Sequence, residues 1–514
     1  MFETHNERGG DMLDVQNMQA IQCIVGESNI LSDPARTRAY NCDAYTAEKA
    51  EPSAVVFPQT TEQVRLLVEY FHQHGIAFLA RGAGTGLSGG ATPTRNEVIV
   101  SMAKMDKLLA VDYENHRAVV QPGYVNLHLT QAVSSGNLYY APDPSSQSVC
   151  TIGGNVAENS GGSHCLKYGV TTNHVVAVKL VLPTGRVVEI GESFGDPIGY
   201  DLVGLIVGSE GTLGIVTEIT VKLLKKPESV KTLLAYFDRV DDASDTVSAL
   251  IRHGIIPAAC EMMDQLTLQA VDKSVYHVGY PPDIEAVLLI EVDGVSASVD
   301  VVAQDVIAIC QSHHVRTVQL AKTNAERNLW WQSRKMAFPA IGRISNDYLV
   351  QDGVIPRSRL TEVLDRIAVL SREFGLRVAN VFHAGDGNLH PLICYDARNA
   401  DELQRALGLG RKILELCVDV GGSITGEHGV GVEKVNQMTY MFSEADLEAQ
   451  SRLREVFDPK GLCNAGKVLP APQGCLDQKV YRKPRLSRDS QDPEGTLNEG
   501  NAEHSPNGRR AVTF

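Results

Sequence analysis

Two rhythms of hydrophobic and polar positions run along this chain from Ser53 onward. Short apolar runs of strand length alternate with stretches whose apolar residues recur at helical spacing, which predicts mixed α and β structure. Ala54–Phe57, Ile76–Ala80, Val98–Ser101 and Ala118–Gln121 read as strands, and Glu62–His74 and Tyr124–Ser135 as helices. Residues 141–165 are rich in Gly, Asn and Pro and read as one long loop. Strands at Val175–Leu182 and Val187–Ile190 flank the turn Pro183-Thr184-Gly185, and Ile215–Leu223 closes the region before Pro227. Upstream, residues 1–50 are polar, with one short helical stretch around Met18–Ile24.

A second α/β segment runs from about residue 230 to 420. Its strand-like runs are Thr232–Phe237, Ala286–Val292, Val315–Leu320, Tyr348–Val354 and Val378–Phe382. Helical patterns fall at Asp241–His253, Val299–His313, Lys322–Ala337, Arg359–Phe374 and Ala400–Val418. A parallel βαβ sheet and a ferredoxin-like antiparallel sheet covered on one face both satisfy this alternation. Residues 433–467 read as a closing helical cap, and the polar tail from about 476 as disordered. No repeat is legible.

Composition narrows the field. At 514 residues the chain is too long for one small core. A net charge of −15 argues against nucleic acid or an anionic membrane as the main partner. No apolar run approaches the ~18–20 residues of a membrane span. Residues 1–20 resemble neither a secretory signal nor an Arg-rich transit peptide. The 10 cysteines contain no C-x-x-C pair, which argues against a disulfide framework, a zinc ribbon or an iron–sulfur cluster. A reducing, cytoplasmic setting is expected.

Candidate chemistry concentrates in the last third. His383-Ala384-Gly385-Asp386-Gly387-Asn388-Leu389-His390 is followed by Gly426-Glu427-His428-Gly429. Imidazoles and a carboxylate suit a borderline divalent metal, so His383, His390 and Glu427 form a candidate site, with His428 beside it as a proton acceptor. On one regular strand the two histidines would face opposite ways. A helix would align them, but Gly385, Gly387 and Asn388 oppose one. The workable reading is strand, tight turn, strand. An ordinary hairpin with two partly buried histidines fits the same pattern.

Glycine-rich stretches mark the first half. Arg81-Gly82-Ala83-Gly84-Thr85-Gly86-Leu87-Ser88-Gly89-Gly90 offers the bare backbone N–H groups that a diphosphate needs. Gly84, Gly86 and Gly89 satisfy the dinucleotide fingerprint formally, but Pro93, Thr94 and Asn96 make a turn where a Rossmann helix must begin. Nicotinamide-dinucleotide binding is rejected there. Pro142-Asp143-Pro144, then Thr151-Ile152-Gly153-Gly154-Asn155, then Asn159-Ser160-Gly161-Gly162, then Gly208-Ser209-Glu210-Gly211-Thr212-Leu213 supply further such loops.

With these residues in hand the chain resembles the FAD domain of the vanillyl-alcohol-oxidase (p-cresol methylhydroxylase) superfamily. Adding His383–His390 and Gly426–Gly429, it resembles the FAD-linked 2-hydroxyacid dehydrogenases over about residues 40–467. Within them it is most similar to the glycolate oxidase branch, with D-lactate and D-2-hydroxyglutarate dehydrogenases as cousins. The resemblance implies an α+β fold: a two-subdomain FAD domain over 51–228, a ferredoxin-like substrate cap over 229–425, and a helical part over 426–470 completing the site. Segments 1–50 and 471–514 flank them.

The same resemblance assigns roles. Arg81 to Gly89 would hold the FAD pyrophosphate, and Pro142, Asp143, Thr151, Gly153, Gly154, Asn155, Asn159, Gly161, Gly162, Gly208, Gly211 and Leu213 the rest of the cofactor. The first loop has no histidine, so dissociable FAD is expected, with Cys165 the nearest thiol for a covalent link. His383, His390 and Glu427 match metal ligands (zinc, manganese or iron), and His428 matches the base. Arg334 in Trp330-Trp331-Gln332-Ser333-Arg334-Lys335 matches the substrate-carboxylate residue, with Arg343 in reserve. Leu349 stands where a dicarboxylate-using relative would want a basic residue, which favours a small monocarboxylic acid. Asn464-Ala465-Gly466-Lys467 departs from the relatives' Asn-Pro-Gly-Lys, and freeing one φ angle costs little.

The implied partners are a second flavoprotein-like subunit and an iron–sulfur subunit docked on the inner membrane, with quinone as the eventual acceptor. A stand-alone D-lactate dehydrogenase is the nearest alternative. A non-catalytic FAD-binding electron-transfer subunit has no need of His383, His390, Glu427 and His428 together. A zinc hydrolase leaves the phosphate-cradling loops unexplained.

Overall fold

The computed structural model describes residues 13–94, 96–192 and 199–470. The tail expected to be disordered, with Cys475, lies outside the described residues.

Two larger sheets and a two-stranded one, Leu138–Tyr139 with Leu224–Lys225, lie in the first part. In one, Ala54–Val56, Val98–Ser101 and Phe78–Arg81 run parallel, with Ile30–Leu31 antiparallel at the edge. The helix Thr61–His74 covers it with Val64, Leu67, Val68 and Phe71, a spacing that puts all four on one face. Thr60 caps its start by accepting the Gln63 N–H at 3.2 Å, and Gly75 ends it at φ 67. The other larger sheet is antiparallel, in the order Leu108–Asp112, Arg117–Val120, Ile215–Lys222, Val175–Val181, Val187–Gly191. Leu108–Asp112, unread in the sequence, is a half-open edge strand without clean alternation.

Residues 141–165 are not one loop. They contain the helix Ile152–Glu158, capped by the Thr151 hydroxyl, which accepts the Gly154 N–H at 3.3 Å. Gly153 and Gly154 lower helix propensity and hide it from the sequence. Tertiary contact demands them: a Cβ on Gly153 would lie 2.8 Å from the Pro122 carbonyl oxygen.

The second part is a nine-stranded sheet. Ser229–Phe237, Val240–Arg252, Ala259–Asp264, Ala286–Gly294, Ser296–Ser312 and Thr317–Leu320 follow one another as βαββαβ. The four strands stand in the order fourth, first, third, second, all antiparallel, which is ferredoxin-like and excludes the parallel alternative. A βαββα order then recurs in Asp347–Val350, Leu360–Phe374, Val378–His383, Pro391–Tyr395 and Ala400–Asp419. This is a structural repeat with no sequence trace. The second strands of the two units pair at the seam, where Glu261 stands opposite His383.

Both faces of this sheet are buried, not one. Leu233, Ala235, Phe237, Met262 and Phe382 face a core closed by the four repeat helices. The alternate residues Leu234, Tyr236, Met263 and Val381 face a second core with Leu268, Trp330, Trp331 and Ile341. The helices Gln265–Asp272, Asn324–Lys335 and Ala337–Ile341 supply that second layer. Alternation puts Glu261, Glu291 and His383 on this face.

An alternating chain of charges ties the two parts together. His164 Nδ1 lies 2.8 Å from Asp143 and Nε2 3.4 Å from Glu291, with its ring stacked on Trp331. Glu291 also accepts from Arg327 at 2.8 and 2.9 Å and from the Trp331 indole at 2.8 Å. Burial opposes a charged imidazole, but Asp143 and Glu291 outweigh it and push His164 up to about 10. Its stabilising charge is therefore complete below the ordinary histidine range and lost as pH rises toward about 10. The thermal midpoint should fall between about pH 7 and 10, and fall less steeply in His164→Gln; parallel pH profiles for the two proteins would refute this.

Candidate active site

His383 ends the seam strand, and its pairing with Asn388 closes a four-residue hairpin loop over Ala384–Gly387. Gly387 turns the chain at φ 85, and Asp386 accepts the Asn388 N–H at 3.0 Å. His390 falls in the break between Asn388–Leu389 and Pro391–Tyr395. Turn and break together cancel the strand parity that would have kept the imidazoles apart. Their rings stand 5.1 Å apart at 88°, with both Nε2 atoms on Glu427 Oε1, at 3.3 Å from His383 and 2.9 Å from His390.

Each imidazole is fixed from behind. His383 Nδ1 lies 2.8 Å from Glu261, and His390 Nδ1 lies 3.3 Å from the Gln351 carbonyl oxygen. A carboxylate or carbonyl holding the far nitrogen is how ligating histidines are oriented, so these three residues fit a divalent metal. Burial alone would raise the Glu427 carboxyl, but His383 and His390 hold it well below the ordinary range. Asp352, His390 and His428 form a second cluster of ligand-type atoms. Asp352 is already saturated and makes a poor ligand.

Asp352 and Glu261 escaped the sequence reading. Asp352 is fully buried and accepts from the Thr425 hydroxyl at 2.6 Å, from the N–H groups of Gly426, Glu427 and His428 at 3.1, 3.2 and 2.9 Å, and from Lys434 at 3.2 Å. His428 stacks on His390 with centroids 4.8 Å apart. Burial holds its imidazole down to about 4, more than Asp352 can restore, so the ring is neutral. Glu261, in a strand the sequence reading missed, also pairs with Arg334 at 2.5 Å. One signal was available: a carboxylate inside an apolar run such as Ala258–Met263 needs a buried partner.

One cavity of about 430 Å³ joins this cluster to the glycine loops. Its wall includes Arg81 to Leu87, Thr151, Gly153, Gly154, Asn155 and Gly211, together with Arg334, His383, His390, Glu427 and His428. Ser88, Gly89, Pro142, Asp143, Asn159, Gly161, Gly162, Gly208 and Leu213 are not in the wall. Of these, the Ser88 carbonyl accepts the Val432 N–H at 3.0 Å, Gly162 packs on the Asp143 carbonyl, and a Cβ on Gly161 would lie 2.7 Å from Glu427 Oε2. Arg343 is exposed and away from the cavity, and Cys165 is not in its wall. Leu349 points into the opposite core, and the neighbour Tyr348 lines the cavity instead, so the argument placed on Leu349 lapses.

The loops fit an extended phosphate-bearing ligand. Gly84 sits at φ 71 where any Cβ would strike the Arg81 guanidinium, and a Cβ on Gly82 would strike the Thr151 hydroxyl. Backbone from separate loops thus converges on one space. From the C-terminal side, Lys467 donates to the Gly90 carbonyl at 2.8 Å and Asn464 at 3.1 Å.

Comparison with known proteins agrees with this layout. Residues 52–191 match the FAD binding domain family, and 226–468 the family of FAD linked oxidases, C-terminal domain. The chain belongs to the FAD-linked oxidases and is an FAD-linked oxidoreductase. It is 49% identical over 438 residues to the glycolate oxidase subunit GlcD of Escherichia coli (strain K12), covering 85% of this chain and 88% of that protein. It is 33% identical to a D-lactate dehydrogenase of Anaerostipes hadrus, over 82% and 90% of the two chains. Its fold is that of p-cresol methylhydroxylase, at a TM-score of 0.75 and 19% identity over 87% of this chain and 95% of that one.

Asp352→Ala removes the acceptor for three backbone N–H groups and leaves Lys434 buried without its carboxylate. It should destabilise the protein by about 3–5 kcal/mol in denaturant unfolding and speed hydrogen exchange at 425–428 first. Unchanged exchange there would show that the loop is held by something else.

Proposed function

We propose that this chain oxidises a small 2-hydroxy acid, glycolate or D-lactate, to the 2-oxo acid, as the catalytic subunit of a glycolate-oxidase-type complex. The observation that carries this is the single cavity joining the glycine-loop cradle to His383, His390, Glu427 and His428. The printed names of the relatives, a glycolate oxidase subunit and a D-lactate dehydrogenase, support the substrate class.

Arg334 receives the substrate carboxylate. It is 2% exposed and in the cavity wall, with its Nη2 in an ion pair with Glu261 at 2.5 Å. A planar guanidinium fork is the group that best matches a carboxylate. Met336, Phe338, Pro339 and Tyr348 give the rest of that end an apolar lining suited to a short side chain. His428, neutral and buried, takes the hydroxyl proton as hydride leaves the α-carbon. FAD, held by the loops from Arg81 and Thr151, supplies the hydride acceptor. His383, His390 and Glu427 would hold a divalent metal, which would supply Lewis-acid chemistry when bound. No helix among the described residues is long and apolar enough to cross a membrane. Electrons then pass to an iron–sulfur subunit beside a second flavoprotein-like subunit, and on to quinone.

Anaerobic addition of glycolate, D-lactate, L-lactate and D-2-hydroxyglutarate to the purified chain tests the reading. Glycolate or D-lactate should bleach the flavin band, and a flavin that none of the four bleaches would refute it. His428→Ala should keep its FAD and slow flavin reduction by about 10²–10⁴-fold; wild-type rates would remove His428 from the chemistry. Arg334→Lys keeps a charge for Glu261 but loses the fork, and should raise KM roughly tenfold. Chelation should abolish flavin reduction until zinc, manganese or iron is restored, and full activity in a metal-free preparation would exclude the metal role.

A further inference from the structure

Glu158 belongs to none of the roles above. It is the last residue of the helix Ile152–Glu158 and lies in the wall of the cofactor cavity. Its carboxyl is wedged between two glycines. A Cβ on Gly90 would lie 2.6 Å from Oε1, and one on Gly429 would clash with Oε2. Oε1 also borders Gly86, 3.9 Å from where its Cβ would stand, so the carboxyl sits where the first glycine loop meets the loop that carries His428.

A second carboxylate shares the place. Glu210 Oε1 would lie 2.7 Å from the same Gly429 Cβ, and its two oxygens accept the N–H groups of Val430 at 2.6 Å and Gly431 at 2.7 Å. Glu158 Oε2, by contrast, is shielded from water and has no hydrogen bond. The charged groups around it are already engaged. Lys467 donates to Gly90 O and Asn464, Lys434 donates to Asp352 and Gly429 O, and Asp43 accepts from Tyr45 and Ala91. When two carboxyls share a dry site and one is anchored by two donors, the proton resides on the other. The position at a helix C-terminus further disfavours an anion. Burial, then Glu210 and Asp43, raise the Glu158 carboxyl well above its ordinary range, with Lys467 and Lys434 offsetting only part.

We propose that Glu158 is a neutral carboxylic acid whose hydroxyl donates a hydrogen bond to the redox-active end of bound FAD and so raises the flavin's midpoint potential. This rests on the FAD-dependent oxidation proposed above. Hydride carries two electrons and one proton from the substrate carbon to the acceptor, and the hydroxyl proton goes to His428. Glu158 neither gains nor loses a proton. Hydride transfer adds one negative charge to the acceptor, and a fixed donor binds that charge more strongly than the neutral form. A neutral donor also spares an anionic cofactor the repulsion of a third carboxylate.

The test uses the FAD-loaded full chain as wild type, Glu158→Gln and Glu158→Leu, with midpoint potentials from equilibration against redox dyes. Gln keeps a neutral donor and should leave the potential close to wild type. Leu should weaken the reduced form at least tenfold relative to the oxidised form, a drop of about 30 mV for a two-electron couple. Redox-difference infrared spectra should show a carboxylic-acid C=O band that shifts on reduction in wild type and vanishes in Glu158→Gln. A tenfold or greater rise in Glu158→Gln means that a carboxylate stood there, and an unchanged potential in Glu158→Leu means that no contact exists. Either overturns the proposal. If Glu158→Leu does not fold, the Gln variant and the infrared band decide. A wild-type chain without FAD, or one that no 2-hydroxy acid reduces, breaks the underlying reading; a loaded, reducible chain with an anionic Glu158 breaks this inference alone.

Discussion

The active-site loop is built around one buried charge, that of Asp352. Strand pairing on this side of the sheet ends at Gly353–Val354, and Gly426-Glu427-His428-Gly429 has no regular structure and no apolar side chain to pack. The Asp352 carboxylate takes the place of a strand ladder for this loop. Three consecutive N–H groups and the Thr425 hydroxyl converge on it, so the backbone that carries Glu427 and His428 has one conformation. Burying a carboxylate costs several kcal/mol, and Lys434 with the N–H donors offsets that cost. Burial would raise its carboxyl, but the surroundings, with the Lys434 ammonium 3.2 Å away, hold it well below the usual range.

Other buried carboxyls around the cavity are each stabilised differently, and the difference decides what each can do. Glu261 lies between Arg334 and His383, so it stays ionised and orients an imidazole while lending its charge to an arginine. Glu427 Oε1 faces the Nε2 atoms of His383 and His390, with that of His428 at 3.7 Å. Glu210 is spent on two backbone N–H groups and ties the loop after His428 to the FAD domain. Glu158 lacks such a partner, and a proton is the cheapest way to neutralise it.

The sequence was most legible where one residue type has one use. Seven-residue spacing with Gly385, Gly387 and Asn388 between two histidines leaves few backbones that bring them together, and the hairpin found is one of those. The apolar face of Thr61–His74 likewise had a single reading. Legibility failed where tertiary contact overrode local preference. Two glycines concealed the helix Ile152–Glu158, and the chain that pins Gly153 against Pro122 comes from a different strand. The repeat in the cap was hidden because a ferredoxin-like unit constrains only alternation, and Ala259–Asp264 carries Glu261 within it. The second covered face went unread for the same reason: strands buried on both sides lose the polar half of their alternation.

The two arginines of the cavity show how position divides one chemistry into two functions. Arg81 spends one guanidinium nitrogen on the Ala91 carbonyl at 3.0 Å and another on the Cys42 carbonyl at 2.9 Å. It is therefore a strut that shapes the glycine loop, tying it to the backbone at Cys42 and Ala91. Arg334, by contrast, spends its Nη2 on the Glu261 carboxylate, which balances its charge. Balance lowers the cost of burying it. An arginine whose charge is balanced in this way acts through the geometry of its planar fork more than through net charge, and it shares its cavity wall with Phe338 and Tyr348.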